Sequence, residues 1–224
     1  GADTIYGGDG NDTLSGSTSW SSSNDSASNR QQAANDSSNN TNDNLYGQAG
    51  DDVLIGTTGD NILDGGAGVD TIYTGSGSDT IVLRAGDGGS TLAAADTITD
   101  FTDGTDVLGM DDGLQYTDFT IAQGTGSNAN DTIISKGSEY LAILQGISAS
   151  NINYMDFASM ATGDQSFTGT TSDDVFIGAA GVDTVTTNTG TDVILTSAGD
   201  DAITIDGAGN KTIDGGSGTD SLTI

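Results

Sequence analysis

The run Gly65–Val82 reads GGAGVDTIY and then TGSGSDTIV, two nonapeptides that share glycine in fourth place, Asp in sixth and Ile in eighth. Working outward, Gly7–Ser15 (GGDGNDTLS), Gly47–Ile55 (GQAGDDVLI) and Gly56–Asp64 (GTTGDNILD) align on the same frame without gaps. A second array opens at Gly169 with GTTSDDVFI, GAAGVDTVT, TNTGTDVIL and TSAGDDAIT, and a last copy, GGSGTDSLT, ends at Thr223. A fixed short period is the mark of a repeat architecture and takes precedence over any local assignment of secondary structure.

The frame itself predicts the backbone. Glycines early in the repeat permit a tight turn through angles closed to other residues. The following D-x-U-x, with U a large apolar residue, favours a short strand that sends its apolar side chain inward and its neighbours outward. Two turns and two strands make one coil of a flattened right-handed solenoid, so acids separated by two nonapeptides stack on one edge. Stacked carboxylates repel, by roughly 4 kcal/mol for unit charges about 4 Å apart at an intermediate effective dielectric, and a divalent ion between them reverses the sign. Calcium suits such turns better than magnesium, because a pliable loop offers six to eight oxygens, many of them carbonyls.

Composition agrees. The formal charge is −29, from 33 acids against 4 bases, and all the acids but Glu139 are Asp. A compact fold with that charge repels itself unless cations neutralise it. The absence of cysteine and histidine leaves no disulfides, no soft metal ligands and no histidine base, which excludes zinc sites and histidine-dependent triads. So acidic a chain is repelled by nucleic-acid phosphates and by anionic lipid surfaces, and no apolar run has the length a bilayer needs. Nucleic acid and membrane insertion are therefore not expected. Both termini fall within repeats, as expected of an internal piece of a longer polypeptide.

These nonapeptides resemble the RTX (repeat-in-toxin) family of bacterial proteins. The resemblance implies an all-β fold, a calcium-bound parallel β-roll, and export from Gram-negative cells by type I secretion. It also implies the metal ligands, which fall on the sixth places: Asp3, Asp12, Asp43, Asp52, Asn61, Asp70 and Asp79 in the first array, and Asp174, Asp183, Asp192, Asp201 and Asp220 in the second. The pairs Asp52 with Asp70, Asp174 with Asp192 and Asp183 with Asp201 are the best formed, with glycine-turn carbonyls completing each of several calcium sites.

The departures are informative. Asn61 stands in an acidic place, so a site that shares it has one charge fewer. In the turn Asp206–Asp214 (DGAGNKTID) the sixth place is Lys211, unless a shift of one residue brings in Asn210; a calcium site there is not expected. Ser172 replaces a fourth-place glycine. The interval from Asp12 to Asp43 is not a multiple of nine, and the Ser/Asn-rich stretch 17–42 with Trp20 reads as an insertion looping out of the solenoid, either a passive loop or a contact loop.

The expected organisation is a first array at 1–82, a β-rich cap or connector at 83–162, and a second array at 163–224, truncated at its end. The middle segment contains DTITDFTDGTDVL at Asp96–Leu108 and looks like the element that ends β-rolls in RTX proteases and epimerase modules. It covers strand edges with Ile98, Phe101, Val107, Leu108, Ile133, Ile134, Leu141, Ile143 and Leu144. Asp96, Asp100 and Asp106 are candidates for a further calcium. The functional expectation is a non-catalytic structural module of a secreted cell-surface protein, an S-layer, filament or adhesin, that folds on calcium binding and meets other copies of itself or other surface components. The alternatives are an accessory region of a secreted enzyme or toxin, and an ice- or ligand-binding solenoid face.

Overall fold

The computed structural model describes residues 4–16 and 42–224. Asp3, Trp20 and residues 17–41 of the expected insertion lie outside them. The described residues are strands joined by short turns, with a few single 3₁₀ turns, and they fall into two compact units.

The first unit comprises residues 1–109 and 119–156. Strands β1 (Thr4–Asp9), β3 (Asn44–Ala49), β5 (Ile62–Ala67), β7 (Thr80–Leu83) and β9 (Val107–Met110) lie side by side in that order. Strands β2 (Thr13–Ser15), β4 (Val53–Ile55), β6 (Thr71–Tyr73) and β8 (Asp96–Ile98) form a second sheet. Successive strands of a sheet come from successive coils and run parallel: Leu45 pairs with Leu63, and Leu54 with Ile72, each two nonapeptides further along the chain. Leu14 pairs with Leu54 in the same manner, although the whole of the expected insertion lies between them in sequence. The roll therefore keeps its register across residues 17–41.

The register stacks the eighth-place residues. Leu14, Leu54, Ile72 and Ile98 form one inward column and Leu45, Leu63 and Ile81 the other, all at most 3% exposed. Burying each such side chain stabilises the fold by about 1.5–3 kcal/mol. The fourth-place glycines let the coils close up. At Gly68, with φ at 145°, an added Cβ would strike the Gly50 carbonyl one coil away.

After β8 the pairing changes. Strands β10 (Thr120–Gln123), β11 (Thr132–Lys136) and β12 (Glu139–Leu144) form an antiparallel meander, and β12 pairs with β8 so that Leu144 meets Ile98. Phe101, Leu108, Ile133, Ile134, Leu141, Ile143 and Leu144 are buried as expected, while Val107 is half-buried.

The second unit comprises residues 110–118 and 157–224. After β13 (Phe157–Ser159), strands β14 (Ser166–Thr168), β16 (Thr184–Thr186), β18 (Ala202–Thr204) and β20 (Ser221–Thr223) form one parallel sheet, and β15 (Val175–Ile177), β17 (Asp192–Leu195) and β19 (Lys211–Asp214) another. Phe176, Val185, Ile194 and Ile203, from both sheets, pack into one core. Phe167 stacks on Phe176 with ring centroids 5.1 Å apart. The chain is an all-β parallel β-roll.

Candidate metal centre

The coils place the sixth-place acids in rows, and one hydrogen bond recurs along each. In the first row the amide of Asp12 donates to Oδ1 of Asp52 (2.7 Å), that of Asp52 to Oδ1 of Asp70 (2.7 Å), and that of Asp70 to Oδ1 of Asp96 (2.8 Å). In the second, Asp43 donates to Asn61 Oδ1 (2.9 Å), Asn61 to Asp79 Oδ1 (2.8 Å) and Asp79 to Asp106 Oδ1 (3.0 Å). The second unit repeats the device. Gln165 donates to Asp183, Asp183 to Asp201, and Asp201 to Asp220, at 2.7, 2.7 and 3.1 Å, and Asp174 donates to Asp192 at 3.1 Å.

The three pairs singled out in the sequence are thus brought together. Asp96 and Asp106, expected in a separate site of the cap, continue the two rows of the first unit at intervals of 26 and 27 residues. Asp100 stands apart from both: its Oδ1 accepts from the Thr74 amide at 2.8 Å and its Oδ2 from the Gly75 amide at 3.3 Å. A shallower ladder that sequence reading missed runs along the fifth places. Oδ1 of Asp51 accepts from the Val69 amide, that of Asp60 from Ser78, and that of Asp173 from Thr191. The doubled acids of GDD and SDD were its signal at Asp51 and Asp173.

Wherever the preceding coil donates to it, one oxygen of the sixth-place carboxylate is consumed by the ladder. The other is the test of whether these residues fit a cation. Among the described residues, Oδ2 of Asp12, Asp52, Asp70, Asp79 and Asp201 is shielded from solvent and makes no hydrogen bond. A buried carboxylate oxygen without a donor costs several kcal/mol unless a cation or a proton meets it. Carbonyls stand beside it. At Gly7 the place of an absent Cβ lies 2.8 Å from Asp12 Oδ2 and 2.7 Å from the Gly47 carbonyl, and at Gly47 the same place is flanked by Asp52 Oδ2 and the Gly65 carbonyl. First-place glycine therefore leaves open a small recess lined by carboxylate and carbonyl oxygens, the donor set that calcium takes. Among the described residues no three acidic side chains converge on one point, so a cation held there draws on backbone carbonyls as well as Asp.

Electrostatics says the same. Burial pushes the Asp70 carboxyl up to about 7; the hydrogen bond from Asp52 opposes this, and the charges of Asp52, Asp51 and Asp87 add to it. Asp79 is likewise raised to about 7, chiefly by burial, and Asp96 to about 8. Asp52, Asp106 and Asp183 are raised in the same direction, again by burial first. The coils hold carboxylates that are poorly stabilised as bare anions.

Asn61 departs from this scheme. Its side-chain nitrogen donates to the Gly59 carbonyl (3.0 Å) and to the ladder oxygen Asp79 Oδ1 (2.8 Å), and it lies beside the absent Cβ of Gly56, so a neutral donor stands where other coils place Oδ2. No helix among the described residues is long and apolar enough to cross a membrane.

No curated protein matches the chain. The family model of the RTX calcium-binding nonapeptide repeat, in four copies, matches residues 1–18, 38–72, 46–81, 55–90, 168–203 and 205–223, more than half of the chain. These matches cover both arrays and include the ladders of Asp52, Asp70 and Asp79 and of Asp183, Asp192 and Asp201; the repeats they identify are calcium-binding repeats, and the chain belongs to the RTX calcium-binding nonapeptide-repeat family.

Proposed function

We propose that this chain is a calcium-folded structural module of a secreted bacterial cell-surface protein, an S-layer, filament or adhesin. The observation that carries the reading is the set of buried Oδ2 atoms of Asp12, Asp52, Asp70, Asp79 and Asp201, each without a donor in a coil that is otherwise hydrogen-bonded along its ladder. The ligands we propose are the sixth-place residues Asp12, Asp43, Asp52, Asp70, Asp79, Asp174, Asp183, Asp201 and Asp220, with Asn61 as a weakened member, Asp96 and Asp106 as the last of their rows, and Asp192 only on the side of Asp174, since its Oδ2 is paired with Lys211. Asp3 and Asp100 complete the proposed set, the first outside the described residues.

Calcium, when bound, supplies the positive charge that these stacked carboxylates lack. The protein's own part is to stack them. The eighth-place columns fix the coil spacing, and the ladder fixes Oδ1, so that Oδ2 is left facing the recess. Without metal the same burial works against folding, since each buried carboxylate must be desolvated or protonated, and the many glycines add chain entropy. A cytosol poor in free calcium then leaves the chain unfolded and competent for export, and millimolar calcium outside selects the folded state by mass action.

In the domain reading, the meander β10–β12 within 83–162 caps the first array. What supports it is the pairing of β12 with β8, which covers a parallel strand edge that would otherwise be open to other chains. The partners proposed are other copies of this chain or other surface components.

The test is a calcium titration of metal-depleted protein followed by circular dichroism, with magnesium as control. We expect β structure to appear cooperatively with calcium and not with magnesium at the same concentration. A metal-depleted sample with its full β signal would sink the reading.

A further inference from the structure

We infer that the ammonium of Lys211 stands in for a calcium ion in the turn Thr187–Asp192, so that this turn is closed by the chain's own cation and takes no metal. The inference rests on the calcium reading of the neighbouring turns. It begins from the register. Strands β15 and β17 pair at the usual interval of two nonapeptides, Val175 with Val193, but β17 and β19 pair Asp192 with Lys211, one position beyond that interval. An extra residue thus lies between these coils, and Lys211 falls in the sixth place.

The extra residue changes the ladder. In the other rows the sixth-place amide donates to a side-chain oxygen one coil ahead; the Asp192 amide donates instead to the Asn210 backbone carbonyl at 3.0 Å. The sixth-place side chain is thereby released from ladder duty. Lys211 sends its stem back over the preceding coil, where Nζ donates to the Asn188 carbonyl at 2.7 Å and to the Gly190 carbonyl at 2.9 Å. Nζ also lies 2.7 Å from Asp192 Oδ2, an ionic contact without the angle of a hydrogen bond. The lysine side chain is 7% exposed and that of Asp192 1%.

An ammonium has three N–H donors and no acceptor, and here three oxygens surround it. They are the second-place carbonyl, the fourth-place carbonyl and the sixth-place carboxylate of a single nonapeptide. Hard oxygens from one glycine turn and its Asp are what a calcium ion uses, and Nζ already occupies the position close to all three. A buried ion pair repays its desolvation only when the remaining donors and acceptors are satisfied; the two carbonyls do that. Lys211 is thus a metal-independent clasp between two coils of the second unit.

The test uses the whole chain saturated with calcium. Lys136 and Lys211 are its only lysines. We expect an amine-acylating reagent, read by mass spectrometry, to modify Lys211 on the order of tenfold or more slowly than Lys136, because the amine reacts only when the turn opens. Equal labelling overturns the inference, since a metal in the turn would expel the lysine. In equilibrium dialysis with radioactive calcium, Lys211→Asp should bind one more ion than the unsubstituted chain; an unchanged count reduces the contact to an ordinary ion pair and overturns the stand-in. Should that variant fail to fold, Lys211→Met keeps the stem without the charge. Its calcium midpoint for folding should rise several-fold, and an unchanged midpoint also overturns the inference. An unsubstituted chain that binds no calcium would overturn the calcium reading itself, an outcome these arms distinguish.

Discussion

The Asp52 amide donates to Oδ1 of Asp70 at 2.7 Å, across one coil of the roll, while Oδ2 of both carboxylates is buried without a donor. One oxygen of each acid therefore builds the solenoid, and the other is the one we propose for a cation, so that structure and binding would be divided between two atoms of the same side chain.

That division makes Asp70→Asn informative. The amide keeps an oxygen for the Asp52 N–H but brings no charge to the recess. We expect its folding to need several-fold more calcium, with one or two fewer ions bound at saturation, by isothermal titration calorimetry. Asp112→Asn, at an exposed position, should leave both unchanged. Equal behaviour of the two variants would remove Asp70 from the ligand set.

The raised carboxyls set a pH dependence for the metal-depleted chain. In the unfolded chain Asp titrates near about 3.9, whereas in the fold Asp70 and Asp79 titrate at about 7 and Asp96 at about 8. The folded state binds more protons across that window, so stability is fully present below about pH 4 and is lost as pH rises through about 7 to 8. Circular dichroism without metal should show more β structure at about pH 5 than at about pH 8. Calcium should reverse the trend, because it binds the ionised form. A metal-free β signal that grows with pH would contradict the burial of these acids.

Much of this was legible in the period of nine. The period placed Leu54, Leu63 and Ile72 inside and put Asp52 above Asp70. It could not carry the rows past Val82, because the intervals Asp70–Asp96 and Asp79–Asp106 include an irregular connection, of 26 and 27 residues. Only strand pairing, Ile72 with Ile98, restores the register there. Lys211 was legible as a departure from the acidic pattern. Its destination was not, because that depends on the ladder bond passing to the Asn210 carbonyl, which no composition or spacing announces.

The apolar columns should carry stability even at saturating calcium. Leu63 is fully buried between Leu45 and Ile81. Leu63→Ala should lose about 2–5 kcal/mol by denaturant unfolding, the range for a large-to-small change in a packed core. Leu222 holds the equivalent eighth place in the last coil but is 53% exposed, and Leu222→Ala should cost well under half as much. Comparable losses at the two sites would mean that stacking is not what holds the coils.

The second place of the repeat offers the last expectation. Gly66 has φ of 85° and Gln48, one coil away in the same place, has φ of 80°. Both occupy the left-handed region, which costs an ordinary residue roughly 1–2 kcal/mol. They differ in space. An added Cβ at Gly66 would strike the Gln48 carbonyl, so Gly66→Ala must both adopt the strained backbone and push neighbouring coils apart. It should cost more than the about 1–2 kcal/mol of the backbone strain alone. Gln48 is exposed, and Gln48→Gly relieves the strain at the expense of about 0.5–1 kcal/mol of additional unfolded-chain entropy. That variant should therefore be neutral to slightly stabilising. The two substitutions exchange side chain and glycine in opposite directions, so a pair of losses of similar size would show that coil contact, rather than backbone handedness, selects glycine in this place.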